Sequence, residues 1–184
     1  RSISVSGSSK DWRIDNNFFT LDGTSSISID GTIAGLIDNN HFLDASTEVI
    51  QLGESMNYDL GSWDDHIDDI LGTKNSVYIE DNYFEMTGNR ASVHNHVVTA
   101  NGGGRYTFRH NYVFNAIGSP DSVDLHGYCF WPDDSRGGRS YEVYNNTFEN
   151  LKDINYWPAM NIRGGDGVIY NNTYIGNWRN HILI

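Results

Sequence analysis

Nine side chains supply the groups that proton-transfer chemistry uses: His94, His96, Arg105, Arg109, His110, Asp124, His126, Arg136 and Arg139. An imidazole takes up a proton near neutral pH, and a guanidinium neutralises a carboxylate so that the proton α to it can be removed. On that chemistry His126 or His110 is the candidate base, and Arg109 and Arg139 are the candidate carboxylate binders. Plainer roles are open to the same residues. His110 also reads as a turn residue, and Arg105 as an ion-pair partner of Asp124 or Glu142. Hydrolysis by paired acids is the alternative chemistry. Asp133 and Asp134 are its nearest candidates, but beside Pro132 they read as a turn.

Such residues meet only if the chain folds back on itself at regular intervals, and a repeat indicates that it does. Within residues 102–115, apolar Phe108 is followed by two variable residues, then Asn111, one variable residue and apolar Val113. The pattern recurs with Asn17/Phe19, Asn40/Phe42, Asn82/Phe84, Asn146/Phe148 and Asn172/Tyr174, at Asn-to-Asn steps of 23, 42, 29, 35 and 26 residues. Helical repeats keep a nearly fixed period and need long amphipathic windows, which are missing here, whereas β-formers flank each Asn. A minimum near 23 residues with variable excess suits one coil of a parallel β-solenoid. Its loops can lengthen while the strands stay stacked about 4.8 Å apart. Each Asn is expected to take the left-handed backbone of a turn and to bond the amide one coil away, building a ladder.

Stacked coils turn equivalent positions into rows. Two residues before each ladder Asn stand Asp15, Asp38, Glu80, Arg109, Tyr144 and Tyr170. Ile14, Ile37 and Ile79 point inward, so alternation turns this row outward. Three carboxylates one strand spacing apart repel unless screened, and oxygen-rich clusters are what Ca²⁺ takes. Asp15, Asp38 and Glu80 are therefore the candidate metal ligands, set against a solvated acidic face with Arg109 at one end. The acidic run at 64–69 lacks the spacing of a helix–loop–helix calcium site. Further along the row, Tyr144 and Tyr170, with Arg105 nearby and Trp131 on a loop, are candidate sugar-binding residues. Flat aromatic faces beside guanidinium groups suit pyranose rings and uronate carboxylates.

Over residues 14–174 the repeat with its Asn ladder resembles right-handed parallel β-helix proteins of the pectate-lyase-like superfamily, which includes polysaccharide lyases, glycoside hydrolases and surface proteins. The resemblance implies an all-β, right-handed parallel β-helix of about six coils. It implies a carbohydrate-directed function, with polysaccharide as partner and a lyase-type depolymerase of acidic polysaccharide as the favoured activity. A non-catalytic structural, adhesin or assembly module is the alternative. Leu125-His126-Gly127 and Ile162-Arg163-Gly164 match only fragments of the polygalacturonase motifs. Calcium is the one cofactor expected, and no organic cofactor is.

The 184 residues make one domain by size. Loop insertions are expected near 53–71 and 126–139, on the same side of the coils, as walls of a groove. Bare solenoid ends expose apolar cross-sections. The chain is accordingly expected to be a piece of something longer, or one unit of an assembly, with self-association or flanking domains covering those ends. Net charge is −12, and residues 1–99 hold sixteen acidic against five basic side chains. That balance argues against nucleic acid as a partner. No apolar run approaches the ~18 residues of a membrane span. A lone Cys129 cannot build a disulfide framework. Sparse Lys with abundant Asn, Gly, Tyr and Trp points to an extracellular or cell-surface setting.

Overall fold

Short alternating segments separated by polar pairs cannot sustain helices, and the chain forms strands. The computed structural model describes residues 3–20, 25–31, 34–44, 48–52, 76–87, 96–100, 104–116, 123–125, 140–151, 158–162 and 166–184. The strands come in threes. β1 (Ile3–Gly7), β2 (Lys10–Asp15) and β3 (Phe18–Thr20) are followed by β4 (Ser25–Gly31), β5 (Ala34–Asp38) and β6 (His41–Leu43). Then come β7 (Glu48–Leu52), β8 (Val77–Glu80) and β9 (Tyr83–Met86), and next β10 (His96–Ala100), β11 (Arg105–Arg109) and β12 (Tyr112–Asn115). The series closes with β13 (Val123–Leu125), β14 (Ser140–Tyr144) and β15 (Thr147–Asn150), then β16 (Met160–Ile162), β17 (Asp166–Tyr170) and β18 (Thr173–Gly176), and finally β19 (Ile182–Leu183).

Every third strand pairs with the next, always in parallel. The first sheet runs β1-β4-β7-β10-β13-β16-β19, the second β2-β5-β8-β11-β14-β17 and the third β3-β6-β9-β12-β15-β18. This all-β arrangement of stacked parallel sheets is compatible with a solenoid. The 53–71 and 126–139 insertions lie outside the described residues. In chain order both connect a first-sheet strand to the following second-sheet strand, β7 to β8 and β13 to β14. No helix among the described residues is long and apolar enough to cross a membrane.

The core is built from inward rows. Ile14, Ile37, Ile79, Phe108, Val143 and Ile169 align across the second sheet. Phe19, Phe42, Phe84, Val113, Phe148 and Tyr174 align across the third. Phe19, Phe42 and Phe84 stack at 4.8 Å and near-parallel planes. Val113 interrupts that column, and in the same coil Phe108 stands where other coils carry Ile or Val. Its ring approaches Phe84 at 5.8 Å and Phe148 at 6.3 Å. One large and one small side chain exchange places, so the volume is conserved.

The ladder is present and is denser than a single bond per coil. Nδ2 of Asn17, Asn40, Asn82, Asn111 and Asn146 donates to Oδ1 of the next ladder Asn at 2.9–3.1 Å. The backbone N–H of each donates to the same oxygen at 3.0 Å. Asn40, Asn82, Asn111, Asn146 and Asn172 also donate to a carbonyl of the preceding coil. The left-handed backbone falls one residue earlier than expected. Asn16, Asn39, Asp81, His110, Asn145 and Asn171 have φ between 52° and 56°. That residue turns the corner, which leaves the ladder Asn free to aim its amide inward.

Candidate functional site

The outward row of the second sheet forms as expected. Asp15, Asp38, Glu80, Arg109, Tyr144 and Tyr170 are consecutive register partners from β2 to β17. The positive charge that its carboxylates call for comes from arginine. Arg13 holds buried Asp38 in a two-pronged bond, Nε to Oδ1 at 2.8 Å and Nη2 to Oδ2 at 2.6 Å. Asn39 adds a bond to Oδ2 at 2.7 Å. The Arg13 bond, against a smaller opposing effect of burial, brings the Asp38 carboxyl below its ordinary pKa. Arg13 also lies 3.8 Å from Asp15. Two strands beyond Asp38, Arg109 donates from Nε to Glu80 and from Nη1 to the Tyr144 hydroxyl, the latter at 2.8 Å. Burial pulls the Arg109 pKa down, and these two bonds more than reverse that. As calcium ligands, Asp15, Asp38 and Glu80 have both Asp38 oxygens and one Glu80 oxygen already engaged. Among the described residues no three His, Cys, Asp or Glu side chains are placed to share a metal ion.

Arg109 also organises the rings around it. Its guanidinium lies 4.9 Å from the Tyr78 ring centre and 6.0 Å from that of Tyr144. Tyr144 and Tyr170 stack at 4.7 Å with planes 7° apart, and Tyr170 is 45% exposed. Beside the row lies a hollow of about 420 Å³, lined in part by Trp12, Arg13, Leu36, Tyr78, Glu80 and Arg109. On the inward row of the same sheet, large rings stand over missing side chains. The Trp12 ring occupies the space where a Cβ on Gly35 would stand, 2.3 Å away, and Tyr141 covers Gly167 in the same way. Trp12 Nε1 has no hydrogen-bond partner. Tyr78 is held protonated, its pKa raised by burial and then by the Glu142 charge.

The cluster of bases and cations divides between sheets. Arg105 and Arg109 both belong to β11, at opposite ends of the strand, and Arg105 is in register with Ser140. His110 sits at the corner between the second and third sheets, exposed, in left-handed backbone, with its ring edge-on to Tyr144 at 6.1 Å. His96 is buried in the first sheet, in register with Glu48. Asp124 is also in the first sheet, beside Thr99 and Asn161. His94, His126, Trp131, Arg136 and Arg139 lie outside the described residues. Of the candidates that are described, Arg109, Tyr144 and Tyr170 form one group, with Arg105 and His110 at its margins.

Arg13, Trp12 and Tyr78 complete the site and were not singled out from the sequence. A signal was available. Arg13 and Tyr78 stand two residues before Asp15 and Glu80, and so share their face by strand alternation. Compared with known proteins, the chain matches no family model, no curated protein and no solved structure.

Proposed function

We propose that the chain is a right-handed parallel β-helix of the pectate-lyase-like kind that works outside the cell or at its surface, binding polysaccharide along the outer face of the second sheet. The observation that carries this reading is the hollow beside Arg109. Trp12, Leu36 and Tyr78 offer apolar surface, and the Arg13–Asp38 and Arg109–Glu80 pairs stand at its polar edges. A pyranose ring has the same division, apolar faces and a polar hydroxyl rim. Both guanidinium groups are already matched to carboxylates. They therefore suit sugar hydroxyls better than the carboxylate of a uronate. Lyase-type turnover would need His126 and Arg139 to meet the sugar held there.

The arginine pairs also favour a second reading, a structural or adhesin module, because they join neighbouring strands of the sheet. One experiment separates the two. Neutral and uronate polysaccharides are titrated against the protein, with ultraviolet absorbance of unsaturated products followed in parallel. Binding that is weakened at least about 10-fold by Tyr78→Ala, with the fold retained, is the expected result. Product absorbance would add lyase activity to recognition. No binding of any polysaccharide by folded protein would leave the structural module.

A further inference from the structure

The third sheet presents a different surface on its outward side. Phe18, His41, Tyr83 and Tyr112, each directly following a ladder Asn, are consecutive register partners. Their ring centres are 4.9, 4.9 and 5.6 Å apart. Phe18 is 60% exposed and Tyr112 37%. The next outward row runs Leu43, Glu85, Phe114, Glu149 and Ile175. Glu85 accepts from His41 Nε2–H through its Oε2 at 2.8 Å, and Glu149 accepts the Tyr112 hydroxyl proton through its Oε2. Oε1 of each carboxylate takes no part in these bonds. The Glu149 bond, then burial, pushes the Tyr112 pKa up to about 12, so this hydroxyl stays a donor.

Two features identify what such a face would take. None of its six strands contains Lys or Arg, so its fixed charges are carboxylates beside aromatic rings. Rings and carboxylates together attract a cation through the ring quadrupole and direct ion pairing. The second feature is periodicity. The rings repeat at each strand from β3 to β12, with Thr147 and Thr173 continuing the row, whereas Glu85 and Glu149 flank Phe114, two strand spacings or about 9.6 Å apart. An extended β-1,4-linked pyranose polymer advances by close to one strand spacing per sugar. It also turns over at each linkage, so substituents on alternate sugars share a side. An extended peptide, at about 3.3 Å per residue, runs out of phase with the rings.

We infer that the outward face of the third sheet is a second binding surface, for a β-1,4-linked polysaccharide carrying free amines, with sugars over Phe18, His41, Tyr83 and Tyr112 and amines on alternate sugars at Glu85 and Glu149. This surface is independent of the reading given to the second sheet. The test is calorimetric titration at mildly acidic pH with a β-1,4-glucosamine hexamer, its fully N-acetylated counterpart and hexalysine. The glucosamine hexamer should bind at least about 10-fold more tightly than either of the others. Glu149→Gln should weaken it roughly 5- to 30-fold. Asp166→Asn, which removes a carboxylate from the exposed edge of the second sheet, should leave affinity unchanged. Glu85→Gln, at the other carboxylate, should weaken binding over the same range, which keeps the test decisive if the Glu149 variant fails to fold. Equal affinity for the acetylated hexamer, tighter binding of hexalysine, equal effects of Glu149→Gln and Asp166→Asn, or no binding would each overturn the inference.

Discussion

Removing the Asn111 amide takes away three donations, to Ile79 O, Arg109 O and Asn146 Oδ1, and two acceptances from Asn82. Asn111→Ala should therefore cost about 2–4 kcal/mol in chemical denaturation, because buried groups on two neighbouring coils lose partners. A loss below about 0.5 kcal/mol would mean that the ladder contributes little. Asp38 supplies a pH test. Its pKa is lowered in the folded state by Arg13, so its contribution is fully present above the unfolded value of about 3.9 and is lost as pH falls through the folded value. Wild-type stability should drop over that acid range, and Asp38→Asn should flatten this part of the profile while lowering stability at neutral pH. An unchanged acid slope in the variant would show that the Arg13 pair does not carry this dependence.

At the scale of strands, Phe108 and Val113 exchange the large and small positions that Ile and Phe hold in neighbouring coils. Val113→Phe alone should overpack the column, and Phe108→Ile alone should leave space, each costing about 1–3 kcal/mol. The double variant restores the pattern of the adjacent coils and should recover to within about 1 kcal/mol of wild type. Additive losses in the double-mutant cycle would show that the two positions do not share one cavity. This row arrangement was legible in the sequence because alternation and the Asn landmark together settle which face each residue takes. The same logic placed Asp38, Glu80, Arg109, Tyr144 and Tyr170 in one line. It did not extend to the partners of those residues. Arg13 and Arg109 reach across strands to carboxylates, and nothing in a linear repeat says whether a row of acids meets a cation or a side chain. The base-and-cation cluster was drawn from sequence proximity. A coil sends residues a few positions apart to different sheets, so His96 and Arg105 part company.

Across the whole molecule, contacts run between neighbouring coils, and the step between ladder residues varies from 23 to 42 without loss of register. Coils should therefore be removable as units. Excising residues 83–111 joins Asn82 to Tyr112, keeps one ladder Asn per coil and puts Val113 in the place of the removed Phe84, beside Phe42. The shortened protein should keep its β circular dichroism and unfold with a denaturant slope smaller by roughly one sixth. Collapse to a non-cooperative transition would show that the stack is not modular. The ladder has a sense as well as a spacing. The five amide-to-amide bonds of the ladder all donate from the Asn17 side toward the Asn172 side, so these bond dipoles add. Among the described residues of 3–100, nine carboxylates stand against Lys10 and Arg13, which places negative charge toward the opposite pole. The molecule is thus electrically polar along its length. On a cationic surface it would stand on its Asn17 end, which is measurable as a label at Ser8 shielded from a soluble quencher and one at Asn177 left open to it.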